Sequence, residues 1–218
     1  VSPMLPENLS ADLCSLHEGV DRYCIAVQIK INADGEKLSH SFHRGLMRSA
    51  ASLSYEHVQW AYDEKPHDVP QDIVENIVKP IYAAYRALSF ARDKRQPLAL
   101  HLPERQIELD YAGQVLSVKL KDRLDSNRLI EEFMVLANVA AAETLISKKT
   151  SLLFRVHEEP AIEKIDALRE TAQSSGLTLA KGKVLKTTHI NALLNAARDS
   201  DDRELINMST LRSMTQAY

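Results

Sequence analysis

Cysteine is nearly absent: Cys14 and Cys24 are the only two in 218 residues. A disulfide scaffold is therefore excluded, and the count fits a reducing compartment such as the cytoplasm. Cys14, His17 and Cys24 lack further ligands at zinc-finger spacing, so two small buried thiols are expected there. No apolar run approaches the ~18 residues of a membrane span, and no membrane partner is expected. No basic-then-apolar leader stands at Val1, although a truncated start would hide one. Charge of one sign is not in excess. With 27 Lys and Arg against 30 Asp and Glu, the net charge is -3. Bulk composition thus carries no electrostatic footprint of a nucleic-acid binder, and local basic patches stay open. There is no Gly-x-Ser-x-Gly elbow and no phosphate-binding glycine loop. Internal repeats and low-complexity segments are lacking too.

What is present is ordinary globular material, 44% apolar and 26% charged, enough for one large or two small domains. After a turn-rich start over residues 1–20, Arg22 to Ile31 alternates, with Ile25, Val27, Ile29 and Ile31 on one side. Asn32-Ala33-Asp34-Gly35 is a hairpin turn, and Lys37 to Arg48 returns as the antiparallel partner. Ser54 can cap a helix to about Tyr62. Gln71 to Lys94 reads as a helix that Pro80 must kink or break. Leu98 to Leu102 is extended, and a second hairpin pairs Gln106–Asp110 with Gln114–Leu120 around Tyr111-Ala112-Gly113. A long helix capped by Ser126 runs to about Ser147. Leu152 to Val156 reads as a short strand, and Pro160 opens a helix that stops at Gly176. Lys181 to Lys186 is a basic loop, followed by helices over about 188–198 and 201–215. Hairpins first and helices later predict one α+β unit, with mixed or antiparallel sheet packed on helices.

The stretch Leu129 to Leu145 is the most telling. As a helix it is apolar almost all round, interrupted by Glu131, Glu132 and Asn138 before Glu143. Such a helix belongs inside a domain, where a carboxylate is costly unless paired. Helical geometry does not select Glu131 over Glu132. Asn138 shares the Glu131 stripe seven residues on, which leans toward Glu131. The plain alternative pairs Glu131 with neighbouring Arg128 or a lysine.

The ordered pieces of the chain resemble the catalytic domain of the ribonuclease II/ribonuclease R family, closer to its ribonuclease R branch. They are Pro3-Met4-Leu5-Pro6-Glu7-Asn8-Leu9-Ser10, Leu13 to Leu16, Gly19-Val20-Asp21-Arg22, Leu53-Ser54-Tyr55-Glu56-His57-Val58, Pro103-Glu104, Arg128 to Asn138, Phe154-Arg155-Val156-His157-Glu158 and Leu211 to Ala217. Each piece is weak and the ordered set is specific; it covers essentially the whole chain. The resemblance implies a processive, magnesium-dependent 3′→5′ exoribonuclease that releases nucleoside 5′-monophosphates from single-stranded RNA. It places the metal-binding aspartates before Val1 and a phosphate-stabilising arginine motif after Tyr218. The chain then reads as the middle slice of a catalytic domain, with no catalytic residue or metal ligand of its own and no activity alone. The whole protein is expected to be monomeric and cytoplasmic.

Two residues carry over by the resemblance. Tyr55 and Glu131 match positions that recognise the ribose, with Glu132, Asn138 and Arg128 in support. The 2′-hydroxyl alone marks an RNA sugar, and a carboxylate can accept from it. Without the family, Tyr55 would be an ordinary tyrosine at a helix start. Leu100 falls where the family often stacks an aromatic on a base, so apolar contact replaces stacking there or another aromatic serves. The competing reading is a non-catalytic relative that binds RNA or a protein. His40 and His43, three apart on a strand, point to opposite faces and make a poor metal pair. His157-Glu158-Glu159 reads as a surface turn leading into a helix, and Asp199, Asp201 and Asp202 as helix capping. Lys148-Lys149 and Lys181, Lys183 and Lys186 fit phosphate contacts and solvated loops equally well.

Overall fold

Alternation becomes pairing where it was expected. β1 (Asp21–Ile31) and β2 (Lys37–Arg48) form an antiparallel hairpin, from Asp21 opposite Arg48 to Ile31 opposite Lys37. At its open end Arg48 donates from Nε and Nη2 to both Asp21 carboxylate oxygens, at 2.6 and 2.9 Å. At its tip Asn32 Oδ1 accepts from the Glu36 amide at 2.8 Å, and Gly35 turns with φ of +77°. Val27, Ile29 and Ile31 are half-buried, whereas Ile25 is exposed. The computed structural model describes residues 4–121, 123–180 and 185–217; Lys181 and Lys183 of the basic loop lie outside them.

The chain packs as two compact units. One comprises residues 1–91 and 123–150, the other residues 92–122 and 151–218. The expected α+β character holds, and among the described residues the strands form two two-stranded antiparallel sheets.

In the first unit a π turn, Asn8–Leu13, precedes the hairpin. Arg22 anchors this segment, donating to the Ser15 carbonyl at 3.0 Å and the Asp12 carboxylate at 2.9 Å. Helix α1 (Tyr55–Tyr62) starts as read: Ser54 Oγ accepts from the His57 amide at 3.2 Å. The expected disturbance at Pro80 takes a specific form. Short α2 (Gln71–Ile73) widens into a π turn over Val74–Val78 before α3 (Lys79–Lys94) resumes. Proline lacks an amide and its ring crowds the preceding turn, and the wider winding relieves both. Val78, Tyr82, Tyr85 and Leu129 form a buried cluster that also packs Val58, Tyr62 and Phe133.

Helix α4 (Asp125–Ser147) corrects two expectations. Ser126 is not its cap; Leu124 precedes it in extended conformation, and Asn127 Oδ1 accepts from the Leu124 amide at 3.2 Å. Nor is the helix enclosed on all sides. Leu129 and Ala140 are buried, while Ile130, Met134, Val135, Asn138 and Val139 lie open to solvent. The hairpin joins its far end. Lys37 Nζ donates to His40 Nδ1 at 3.1 Å and pairs with Glu143. Thr144 Oγ1 gives its proton to the Ala140 carbonyl at 2.9 Å, so His40 Nε2 must donate to that hydroxyl at 2.7 Å.

In the second unit β3 (Arg105–Leu109) pairs with β4 (Val115–Leu120), and Asp110 Oδ1 ties the turn by accepting from Ala112 and Gln114 amides. Helices α5 (Ile162–Ser174), α6 (Thr187–Ala196) and α7 (Arg203–Ser213) surround a core of Leu168, Ala172, Leu179, Ile190, Leu193 and Ile206. Leu152 to Val156 is not a strand: no partner strand pairs with it among the described residues, and Leu153 is exposed. Pro160 lies just ahead of α5 rather than inside it. Asp202 stands at the N-terminus of α7 without the side-chain capping bond expected of that acidic group. Both cysteines are free thiols, Cys14 exposed and Cys24 half-buried, so neither is the buried thiol expected.

Candidate functional site

Tyr55 and Glu131 sit near the N-terminal ends of α1 and α4, and these two ends are clasped. Ser126 Oγ donates to the Tyr55 carbonyl at 2.8 Å. The Ser126 amide, one of the donors a helix start leaves unpaired, gives its proton to Gln59 Oε1 at 3.1 Å. Tyr82 from α3 donates to the same oxygen at 3.1 Å. Tyr82 stacks flat on Tyr62, with centroids 3.8 Å apart, and meets Tyr85 edge-on. Arg86 lies over the Tyr62 ring at 5.4 Å and bonds its hydroxyl. Burial pushes the Tyr82 phenol up to about 12 and the Tyr85 phenol upward as well, so both keep their protons near neutrality.

Above this closed base the candidate side chains differ in access. The Tyr55 side chain is open to solvent at the first position of α1. Glu131 has a side chain 44% exposed and pairs with Arg123, not with Arg128. Arg128 instead approaches Asp125 at 3.6 Å. Glu132 is only 7% exposed. The deep burial expected of the key carboxylate therefore belongs to Glu132, and Glu131 is the more exposed of the two. Asn138 shares the open side of α4 with Glu131.

Leu100 lies in the other unit and packs against the core there. Its segment is extended as read, and side-chain amides hold it. Asn191 donates to the Pro97 carbonyl and accepts from the Ala99 amide, both at 2.9 Å. Asn207 Oδ1 accepts from the His101 amide at 2.7 Å. Leu98 and Leu100 turn toward the core, and Ala99 and His101 are exposed. In the same unit His157 Nδ1 bonds the Thr215 carbonyl at 3.2 Å, and Thr215 Oγ1 donates to the Glu159 carbonyl at 3.3 Å. The His157 turn is thus a strap on the segment after α7.

Sequence reasoning missed Gln59, Ser126 as a tie, and Arg123. Gln59 stands one helical turn after Tyr55, but nothing local marks it as a junction. Among the described residues no three His, Cys, Asp or Glu side chains converge as a metal site. These residues therefore do not fit the aspartate cluster that the resemblance associates with magnesium.

The model of the RNB domain family matches residues 1–218. Ribonuclease R of Vibrio parahaemolyticus is 33% identical over the whole chain, and that of Escherichia coli K12 is 31% identical, the chain spanning 26% and 27% of their lengths. Ribonuclease R of Mycoplasma genitalium, solved with ribose-methylated single-stranded RNA, superposes with a TM-score of 0.90 at 26% identity over 99% of this chain and 34% of that one. The same protein has been solved with double-stranded RNA. Yeast Ssd1, a pseudonuclease, shares the fold alone, with a TM-score of 0.66 at 18% identity. A family match that spans residues 1–218 means that the chain belongs to the RNB domain family.

Proposed function

We propose that the chain is a segment of a processive 3′→5′ exoribonuclease that hydrolyses single-stranded RNA to nucleoside 5′-monophosphates in the cytoplasm. Within it, this segment forms part of the wall along which RNA runs, and Tyr55 and Glu131 read the ribose. Magnesium supports the hydrolysis, and its ligands belong to sequence outside these residues. RNA as the partner is supported by the relatives solved with it. No described helix is long and apolar enough to cross a membrane.

The observation that carries the sugar-reading role is the contrast between two adjacent carboxylates. Glu132 is buried, whereas Glu131 is open and lies on a helix clasped to the residue bearing Tyr55. A carboxylate accepting the 2′-hydroxyl proton contributes about 1.5–3 kcal/mol, roughly tenfold to hundredfold in preference. The phenol of Tyr55 can donate or accept beside it. DNA offers neither the donor nor the acceptor.

The test is a kinetic comparison of matched RNA and DNA oligomers in the full-length protein. Tyr55→Phe with Glu131→Ala is expected to lower the RNA preference tenfold or more. An unchanged ratio would remove the role given to these residues. Chromatography of the products, with and without chelator, tests the monophosphate product and the metal requirement.

A further inference from the structure

Gln59 ties α1 to two other helices through one carboxamide. Its Oε1 accepts from the Ser126 amide of α4 and from the Tyr82 hydroxyl of α3, each at 3.1 Å. Its Nε2 donates at 3.0 Å to Oδ1 of Asp63, the residue that closes α1. Donors meet the oxygen and an acceptor meets the nitrogen, so the amide has one favourable orientation. Flipping it would set an NH2 group against two donors.

Ser126 completes the arrangement. Its amide goes to Gln59, while its hydroxyl goes to the Tyr55 carbonyl at 2.8 Å. Tyr55 and Gln59 are four residues apart and so lie on one face of α1. That face grips a single residue of α4 at two points, which ties the two helix starts together there. Glu131 follows Ser126 by five residues, about 7.5 Å along the axis at the usual helical rise. A small turn of α1 against α4 would therefore change the separation between the Tyr55 ring and the Glu131 carboxylate.

We propose that Gln59 is a positioning residue for sugar discrimination: its three-helix junction sets the spacing of Tyr55 and Glu131. This rests on the ribose-reading role given to those two residues. Gln59 need not touch RNA. The buried phenol of Tyr82 remains a donor throughout the neutral range.

The test uses the full-length protein and the ratio of kcat/KM for matched RNA and DNA oligomers. Gln59→Leu keeps the approximate bulk but removes the acceptor, and the ratio should fall about tenfold, the scale of one misaligned hydrogen bond to a charged acceptor. Gln59→Glu together with Asp63→Asn keeps an acceptor for both donors and gives the second carboxylate oxygen a donor in place of the Asp63 carboxylate, and should restore most of the ratio, which a general loss of stability would not do. Ser126→Ala removes the bond to the Tyr55 carbonyl and the hydroxyl's contact with the Tyr82 phenol, leaves the amide bond to Gln59, and should give a smaller fall in the same direction. Should Gln59→Leu fail to fold, Ser126→Ala decides the matter, a wild-type ratio there overturning the positioning role. A wild-type ratio in both Gln59→Leu and Ser126→Ala, with Tyr55→Phe plus Glu131→Ala still lowering it, overturns the positioning role and leaves the ribose reading standing. If the Tyr55 and Glu131 variants also leave the ratio unchanged, both ideas fall together.

Discussion

Gly35, at the tip of the β1–β2 hairpin, lies so close to Ala87 of α3 that a Cβ on the glycine would stand 2.0 Å from the Ala87 carbonyl oxygen. The glycine also holds a φ of +77°, which side-chain-bearing residues rarely adopt. Gly35→Ala is expected to cost at least about 1–2 kcal/mol from the backbone conformation alone, with the clash adding to it. Denaturant unfolding of the full-length protein measures this. Hydrogen exchange across residues 32–38 should rise at the same time. A variant as stable as the wild type would mean that the tip does not rest on α3.

Adjacent Glu131 and Glu132 should respond in opposite ways. Glu132 is buried, so Glu132→Ala is expected to cost about 1–3 kcal/mol of stability, the range for disturbing a satisfied buried polar group. Glu131 is half-exposed and its pair with Arg123 is open to water, so Glu131→Ala should change stability by less than about 1 kcal/mol. Its effect should appear in the RNA-to-DNA ratio. The reverse pattern would exchange the two assignments.

The tyrosine cluster predicts an alkaline limb. Burial raises the Tyr82 phenol from the ordinary 10.0 to about 12 and displaces Tyr85 in the same direction. A raised folded-state value leaves stability intact below the unfolded value, then removes it as pH climbs from 10.0 through about 12, because the unfolded chain releases its proton first. Tyr82→Phe should flatten this decline, leaving the part due to Tyr85. It should also cost about 1 kcal/mol near neutrality by losing the bond to Gln59. Unfolding titrations in that window check both effects.

The extended segment before β3 should loosen locally. Asn191→Ala removes two bonds, to Pro97 and Ala99, at a cost of about 1 kcal/mol each. Amide exchange at Ala99 should accelerate while the interior of α6 stays protected. Uniform acceleration throughout that unit would show that Asn191 supports the whole core instead.

The elements legible in the sequence are those whose signal is local. Residues 22–48 declare their hairpin through alternation and an Asn-Ala-Asp-Gly turn, and Ser54 declares the start of α1. The misreadings arise where a distant neighbour decides. Ser126 resembles a cap by type and position, but its hydroxyl is claimed by Tyr55, 71 residues away. Leu152 to Val156 has the composition of a strand and no partner to pair with among the described residues. The apolar circumference of α4 says which side chains could be covered, not which are. For the same reason the choice between Glu131 and Glu132 could not be made from helical angles. Which of the two is buried follows from packing that helical angles do not reveal.

The π turn at Val74–Val78 works as a phase adjuster. Val74 packs with Ala61 and Val69, whereas Tyr82 and Tyr85 pack with Leu129. One added or removed residue in a helix rotates everything beyond it by about 100°. In uniform α winding that change would swing the aromatic rings off α4, but a single deletion between Val74 and Val78 would be absorbed by closing the π turn to an α turn, leaving Tyr82 in reach of the Gln59 carboxamide. The register of the whole helix triplet is thus stored in one loosened coil ahead of a proline.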